Sequence, residues 1–307
     1  MIGTAIHPLL AGPVTILVLL GGAYLTATLV GLRTPNLGGR LALRLPAARA
    51  AVWLQQSVTT TERPDGVLWW FAPAGYLGCA ALALSVIPFG RDAAIADVGT
   101  GIVVFGVGEV LAIVCVHLQG WSPNSLLPLI ATSRYLAVML SYELISMFVL
   151  IAAALPAESL SIGQIVASQA EVWNVVRQPL GLPLFAIVAL GISTWGPFEL
   201  AIGADTAGGV LAEASGRNRL VWEVGRHALL FVFAAMAAAV FLGGWHGPLL
   251  PGWLWMALKT MTVLWGLVWL GDRLPRWSAE RLVLVTWTVL LPLSFADLAI
   301  AGIVALP

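Results

Sequence analysis

Hydrophobic residues along this chain come in long unbroken runs, not in the alternating or one-sided patterns of a water-soluble fold. Apolar windows close to the roughly 20 residues that an α-helix needs to cross a bilayer stand at about 9–32, 67–89, 98–119, 133–155, 180–202, 222–244, 253–270 and 282–305. The pattern predicts an all-α integral membrane protein, a single membrane domain of about eight transmembrane helices. The first window has no positive residue before it and outruns a signal-peptide core, so it is expected to remain as a span. Pro128, Pro183 and Pro292 fall near predicted span ends, where a residue without an N–H begins or kinks a helix.

Two segments interrupt the succession of spans and turns. Between Gly39 and Ser57 the run GRLALRLPAARAAVWLQQS sets Arg40, Arg44 and Arg49 among Leu, Ala, Val and Trp. It predicts an amphipathic cytoplasmic helix over 39–57, broken near Pro46 and lying along the interface. From Gly203 to Val221 a glycine-rich stretch carrying Asp205, Glu213, Arg217 and Arg219 is too long for a plain turn. Ordered loops of that length are usually functional surfaces.

Composition sharpens this picture. Sixty per cent of the 307 residues are hydrophobic and 10% are charged, against about 25% charged in a soluble domain, and the mean hydropathy is +0.94. Fifteen basic and fifteen acidic residues cancel, which leaves no basic field for nucleic acid. The placement of the charges says more. Loops after odd-numbered spans hold Arg33, Arg40, Arg44, Arg49, Arg63, Arg134, Arg217, Arg219, Arg226, Arg273, Arg276 and Arg281, twelve of the fifteen basic residues. The positive-inside rule puts those loops in the cytoplasm and both termini outside. Cys79 and Cys115 lie in apolar runs without metal or disulfide spacing and read as small core residues. No nucleotide-binding loop, dinucleotide fingerprint or metal-spaced cluster appears, so no redox centre is expected in this chain.

Ionisable residues inside the spans are the candidate chemistry. Glu109 stands in the middle of span three and Glu143 in the middle of span four. A carboxylate at that depth is paired, hydrated or protonated, and faces the bundle interior or an aqueous cavity. Glu199 lies near the cytoplasmic end of span five. Glu223, Arg226 and His227 occupy the first turns of span six, where i, i+3 and i, i+4 spacing brings them to one face. Lys259 and Asp297 complete a set that could relay protons, or serve as halves of structural ion pairs.

Several motifs then point to a family. The run GWSPNSLLPLIATSRYLAVMLSYELI, with Trp121, Asn124, Arg134, Ser141, Tyr142 and Glu143, resembles the third-loop and fourth-span region of complex I subunit 1, which is the H subunit of NADH-quinone oxidoreductases. RQPLGLPLFAIVALGISTWGPFEL is similar to that family's fifth span, with Pro197, Phe198 and Glu199 in the place of its Pro-Phe-Asp motif. LAEASGRNR and LPRWSAERLVLVTWTVLLPLSFADL are similar to its Glu-Tyr-Ser-Gly segment and last span. The resemblance implies eight spans, a hydrophilic electron-transfer arm docked on the cytoplasmic side, and iron–sulfur clusters carried by partner subunits. Two departures stand out. The acidic run that follows the motif in quinone-reducing members is replaced by Ala201, Ile202, Gly203, Ala204, Asp205 and Thr206, and a Lys-Glu pair ending the amphipathic helix by Gln55 and Gln56.

Those departures favour the membrane anchor and ion-coupling subunit of a formate hydrogenlyase or nickel–iron hydrogenase type of complex. Its partners would be hydrophilic iron–sulfur and hydrogenase-like subunits, antiporter-like membrane subunits and the lipid bilayer, with the nickel–iron or other metal centre in those subunits. Arg40, Arg44, Arg49, Asp205, Glu213, Arg217 and Arg219 would seat the arm; Glu109, Glu143, Glu199, Glu223, His227, Lys259 and Asp297 would relay protons or conformational strain. A quinone bound at the interface is the alternative, and a stand-alone secondary transporter is the rival of another class. The topology is directly testable: reporter fusions near residues 60 and 275 should report cytoplasmic, and fusions near 248 and after Pro307 should report outside. A cytoplasmic C-terminus ends the eight-span reading.

Overall fold

The computed structural model describes residues 8–33, 39–91 and 94–305. Among them, eight helices are long and apolar enough to cross a membrane. We number the main helices α1 (Pro8–Leu32), α2 (Gly39–Gln55), α3 (Gly66–Ser85), α4 (Gly101–Trp121), α5 (Leu126–Ala154), α6 (Gly181–Ile192), α7 (Gly216–Phe241) and α8 (Gly252–Arg273), and α9 (Ala279–Val304). All but α2 are membrane helices. The two termini, expected on the outer side, lie outside the described residues.

Helix α7 is the hub. Every residue from Ala228 to Phe241 is buried, as expected of a helix that is apolar all round. Its alanines let α1, α3, α6 and α8 approach closely, the usual means of tight association where lipid removes the hydrophobic drive between helices. Phe233 and Phe241 complete an aromatic core with Phe105 of α4 and Phe185 of α6, at centroid distances of 5.5–6.3 Å. Helix α9 is peripheral and opens into a π-turn over Thr286–Leu290. That wide turn directly precedes Pro292, whose ring would otherwise meet the carbonyl four residues back.

The loops after odd-numbered membrane helices gather at one end. Arg33 pairs with Asp272 at 2.8 Å, Arg134 with Asp205 at 3.2 Å, and the Thr59 N–H donates to the Ser215 hydroxyl at 2.8 Å. Asn124 turns α4 into α5 with a φ of +50°, a left-handed conformation that Asn adopts more readily than most residues.

Four local expectations need correction. Helix α2 runs unbroken through Pro46. It is clamped to α1 around the proline: Ala42 is fully buried, a side chain at Gly31 would meet the Ala42 backbone, and the Tyr24 hydroxyl donates to the Leu43 carbonyl at 2.5 Å. Packing there outweighs the one lost helical hydrogen bond. Helix α5 begins at Leu126 rather than 133: its first turns carry the apolar Leu126, Leu127, Leu129 and Ile130, and Pro128 falls in the first turn, where its missing N–H costs no helical hydrogen bond. Helix α7 begins at Gly216, so the expected 203–221 loop shortens and Arg217 and Arg219 belong to a helix. The window 180–202 is not one helix. Helix α6 stops at Ile192, and a 3-10 turn, Gly196–Ala201, follows, because Gly196 takes a left-handed φ of +62° and the residue before a proline avoids the helical region.

One glycine tests this packing. Gly209 has a φ of +53°, and a side chain there would collide with the Ala201 carbonyl and the Ala131 methyl. Gly209→Ala should destabilise the protein by about 2 kcal/mol or more. Gly266→Ala, with nothing within 4 Å, should be neutral or mildly stabilising. Thermal unfolding of the detergent-solubilised protein measures both, and equal melting temperatures would contradict the packing.

Candidate functional site

A cavity of about 1210 Å³ lies beneath α2. Leu20, Ala23, Tyr24, Ala27 and Val30 of α1 and Val52 and Trp53 of α2 give it apolar walls, and the opposite side is polar: Glu199, Arg219, Glu223, Arg226, His227 and Arg276.

The break after α6 builds that polar wall. Thr194 takes a left-handed φ of +57°, so its carbonyl leaves the helical ladder. Arg226 fills it: Nη2 donates to the Thr194 oxygen at 2.8 Å, and Nε to the same oxygen at 3.2 Å and to Oγ1 at 3.1 Å. The guanidinium also lies over the Trp195 ring at 4.1 Å, a favourable seat for a weakly hydrated planar cation. Glu199 accepts from Arg226 at 3.2 Å on one oxygen and from Arg276 at 2.5 Å on the other. Glu223 stands 3.7 Å from Arg226. His227 Nδ1 is 2.7 Å from the Glu223 carbonyl oxygen, which leaves Nε2 as the free ring nitrogen. Gly196 and Gly271 touch: a side chain on Gly196 would sit 2.6 Å from the Gly271 oxygen. That contact brings the Glu199 turn to the end of α8, from which Arg276 follows.

A second cluster lies deeper, between α4 and α5. The Ser146 hydroxyl reaches both Glu109 oxygens, at 3.0 and 2.9 Å. Glu143, one turn before Ser146 on α5, lies against Gly106 of α4, and its Oε2 has no partner among the described residues. Both carboxyls are buried. Arg134 is engaged with Asp205 instead.

The remaining predicted residues lie apart from these clusters. Lys259 donates to the carbonyls of Gly244 and His246 at 3.0 and 2.6 Å and sits 4.3 Å over Trp173, tying down the loop after α7. Asp297 of α9 is fully buried, and neither of its carboxyl oxygens has a hydrogen-bond partner among the described residues. Of the residues assigned to docking, Arg40, Arg44, Arg49, Asp205 and Arg217 are exposed. Glu213 accepts from Ser125 at 3.1 Å, and Arg217 and Arg219 lie over Trp70 and Trp53 at 5.9 and 5.8 Å. Sequence reasoning missed the hub role of Arg226 and the part played by Thr194 and Trp195. The Gly196-Pro197 step was the available signal, since it breaks a helix next to a buried arginine.

Comparison with known proteins gives these features a context. Residues 24–302 match the family model described as NADH dehydrogenase. The H subunit, form 1, of the NADH-quinone oxidoreductase of Rhodopseudomonas palustris is 35% identical over 261 residues, 82% of this chain and 82% of that protein. The H subunit, form 2, of the NADH-quinone oxidoreductase of Syntrophobacter fumaroxidans is 31% identical over 87% of this chain and 84% of its own length. The corresponding H subunit of Geobacillus kaustophilus is 32% identical, covering 88% and 83%.

The polar wall predicts an asymmetry between its two arginines. Glu199→Ala strands the Arg226 guanidinium, whose side chain is 9% exposed, and should cost about 2 kcal/mol or more. Arg276→Ala removes a partner that is 65% exposed and should cost less than about 1 kcal/mol. Chemical denaturation of the two variants side by side checks this, and equal losses would sink the hub assignment.

Proposed function

The chain belongs to the NADH dehydrogenase family, and we propose that it forms the membrane side of the quinone site in a multisubunit oxidoreductase of the complex I type. The cavity beneath α2 carries this reading. Its apolar walls suit an isoprenoid tail, and its polar wall suits the head group. A narrow pocket with a few convergent polar groups is the usual form of a small-molecule site. Arg226 and Arg276 offer donors to a quinone oxygen, while Glu223 and His227 can hold the protons that reduction consumes. Electrons would come from partner subunits carrying iron–sulfur clusters, seated on the exposed Arg40, Arg44, Arg49 and Arg217 at the basic end. That end faces the cytoplasm by the positive-inside rule, and the membrane is the cell's inner membrane. Glu109 and Glu143 provide a proton store deeper in the bilayer, next to antiporter-like subunits.

One observation favours a second reading, the anchor of a formate hydrogenlyase or hydrogenase type of complex. Beyond Glu199 the chain supplies only Asp205 before Glu213, and Asp205 is held at the surface by Arg134. The cavity lining therefore has three carboxylates: Glu199 and Glu223, both within 4 Å of Arg226, and Asp272, paired with Arg33 at 2.8 Å. A wall so neutralised suits a structural or conformational link without a bound quinone.

Ala27→Trp separates the two. Ala27 lines the cavity from α1, and a tryptophan there narrows its apolar side while leaving every residue of the charged wall in place. In the purified native complex, quinone reduction should fall about tenfold or more, while reduction of a water-soluble acceptor by the hydrophilic arm stays at the parent rate. Unchanged quinone reduction overturns the quinone-site reading. Hydrogen evolution that ignores the substitution, in a complex lacking bound quinone, establishes the second.

A further inference from the structure

We propose that the loop between α7 and α8 is an interfacial anchor: on the face opposite the basic end, Leu249, Leu250 and Trp253 enter the headgroup layer of the bilayer, and Lys259 holds them at that depth. The proposal goes beyond the cavity reading and stands whatever occupies the cavity.

Leu249 is the residue that asks for an explanation. Its φ is +68°, and the Leu250 N–H donates across it to the Pro248 carbonyl at 2.8 Å. A hydrogen bond spanning one residue of positive φ is the rare, strained form of the γ-turn. Glycine would adopt that backbone freely, whereas a leucine meets its own Cβ. The Leu249 side chain is nevertheless fully exposed, and Leu250 and Trp253 are exposed beside it. Strain of this kind persists only where the surroundings over-determine it. Here the Pro248 carbonyl that closes the turn also accepts from Trp255 Nε1 at 2.8 Å, and Pro248 and Pro251 stiffen both flanks. Lys259 donates to the carbonyls of Gly244 and His246 at 3.0 and 2.6 Å, and the His246 N–H closes onto the Gly243 carbonyl at 2.8 Å. The loop is thus a rigid mount for three exposed apolar side chains.

The length of α8 gives its depth. Twenty-two residues make a rod of about 33 Å, close to the roughly 30 Å of bilayer hydrocarbon. Gly252 therefore stands at one edge of the hydrocarbon when Arg273 stands at the other. Lys259 is two turns further in, about 10 Å along the axis, and its four-carbon stem recovers only part of that distance. The carbonyls it holds, and the loop that carries them, lie back along α8 instead of standing above its first turn.

Charge and continuity select the occupant. From Phe241 to Leu258 the chain has no Asp, Glu, Lys or Arg, and the Lys259 charge is turned inward onto backbone carbonyls. A charged partner surface would find nothing there to pair with. The exposed side of α8 continues inward as Leu258 and Trp265, which need hydrocarbon, and leucine and tryptophan at its edge are ordinary interfacial anchors. This helix has use for one. Only six of its 22 residues are buried, so the bundle holds it from one side, while its other end carries Gly271 and leads to Arg276 of the cavity wall. An anchor opposite fixes the depth at which that wall stands.

The test uses the native complex in phosphatidylcholine vesicles. A nitroxide on Leu249→Cys, in a chain with Cys79→Ala and Cys115→Ala, is read by its relaxation with oxygen, which concentrates in the bilayer, and with a water-soluble nickel chelate. The effect of oxygen should exceed that of the chelate about threefold or more. Equal or greater access to the chelate places the turn in water, and a label immobilised and shielded from both places it against a protein; either result overturns the anchor. Lys259→Met, or the milder Trp255→Phe, loosens the mount and should raise chelate access at 249 about twofold or more. An unchanged ratio in both overturns the part given to the clamp. Should the thiol-free chain not assemble, benzoylphenylalanine at position 249 of the parent chain, illuminated in the same vesicles, should attach to phospholipid acyl chains. Attachment to a neighbouring subunit, or to nothing, overturns the anchor.

Discussion

Arg226 carries a positive charge into the most enclosed helix of the bundle, and neighbouring elements are shaped to hold it. A guanidinium in a low-dielectric interior is tolerable only when its donors are matched and its charge is balanced. The unwound end of α6 supplies the carbonyl and hydroxyl of Thr194, the 3-10 turn after it supplies Glu199, and Trp195 covers the planar face. If α6 continued as a regular helix through Gly196, the Thr194 carbonyl would be committed to the helical ladder and Glu199 would be carried away on another turn. The break in α6 and the buried arginine therefore require each other. Such broken helices are accepted at membrane depth only where protein or a water-lined cavity satisfies the freed groups, and here Arg226 takes the freed carbonyl and hydroxyl of Thr194.

The cavity follows from the same constraint. Glu199 is pinned from one side by Arg226 and from the other by Arg276, which fixes the segment after α8 against the turn after α6. The Gly196–Gly271 contact works in the same direction, since two residues without side chains allow backbones to meet. With that wall fixed, α2 closes the cavity from the opposite side, held to α1 by Ala42 and by the Tyr24 hydroxyl. An amphipathic helix that merely floated on the interface would not define a volume. Anchoring on α1 turns it into a roof.

Much of this was legible in the sequence, and the reasons differ from part to part. The spans were readable because each membrane helix must satisfy its own backbone in lipid, which forces an apolar run of nearly fixed length. The pairing of Glu223 with Arg226 and His227 was readable because it lies within two turns of one helix. Glu199 with Arg226 was not, because it joins residues 27 apart through an unwound segment whose geometry depends on a left-handed threonine. The unbroken α2 was unreadable for a related reason: proline argues locally against a helix, and only the contact with α1 reverses the outcome. Lys259 shows the converse case. A lysine within a predicted span invites a relay role, but the carbonyls of Gly244 and His246 and the Trp173 face account for its charge locally.

The two carboxyl clusters differ in a way that bears on how the protein could couple them. Glu199 and Glu223 stand beside arginines, so their charge is balanced where they stand. Glu109 and Glu143 have a single serine hydroxyl between them and no nearby cation in hydrogen-bond reach among the described residues. Both are buried, and a charged carboxylate without a cation is costly in such surroundings. The two clusters thus differ in kind: one is matched by cations on the cavity wall, the other is enclosed by the bundle with one hydroxyl as its partner.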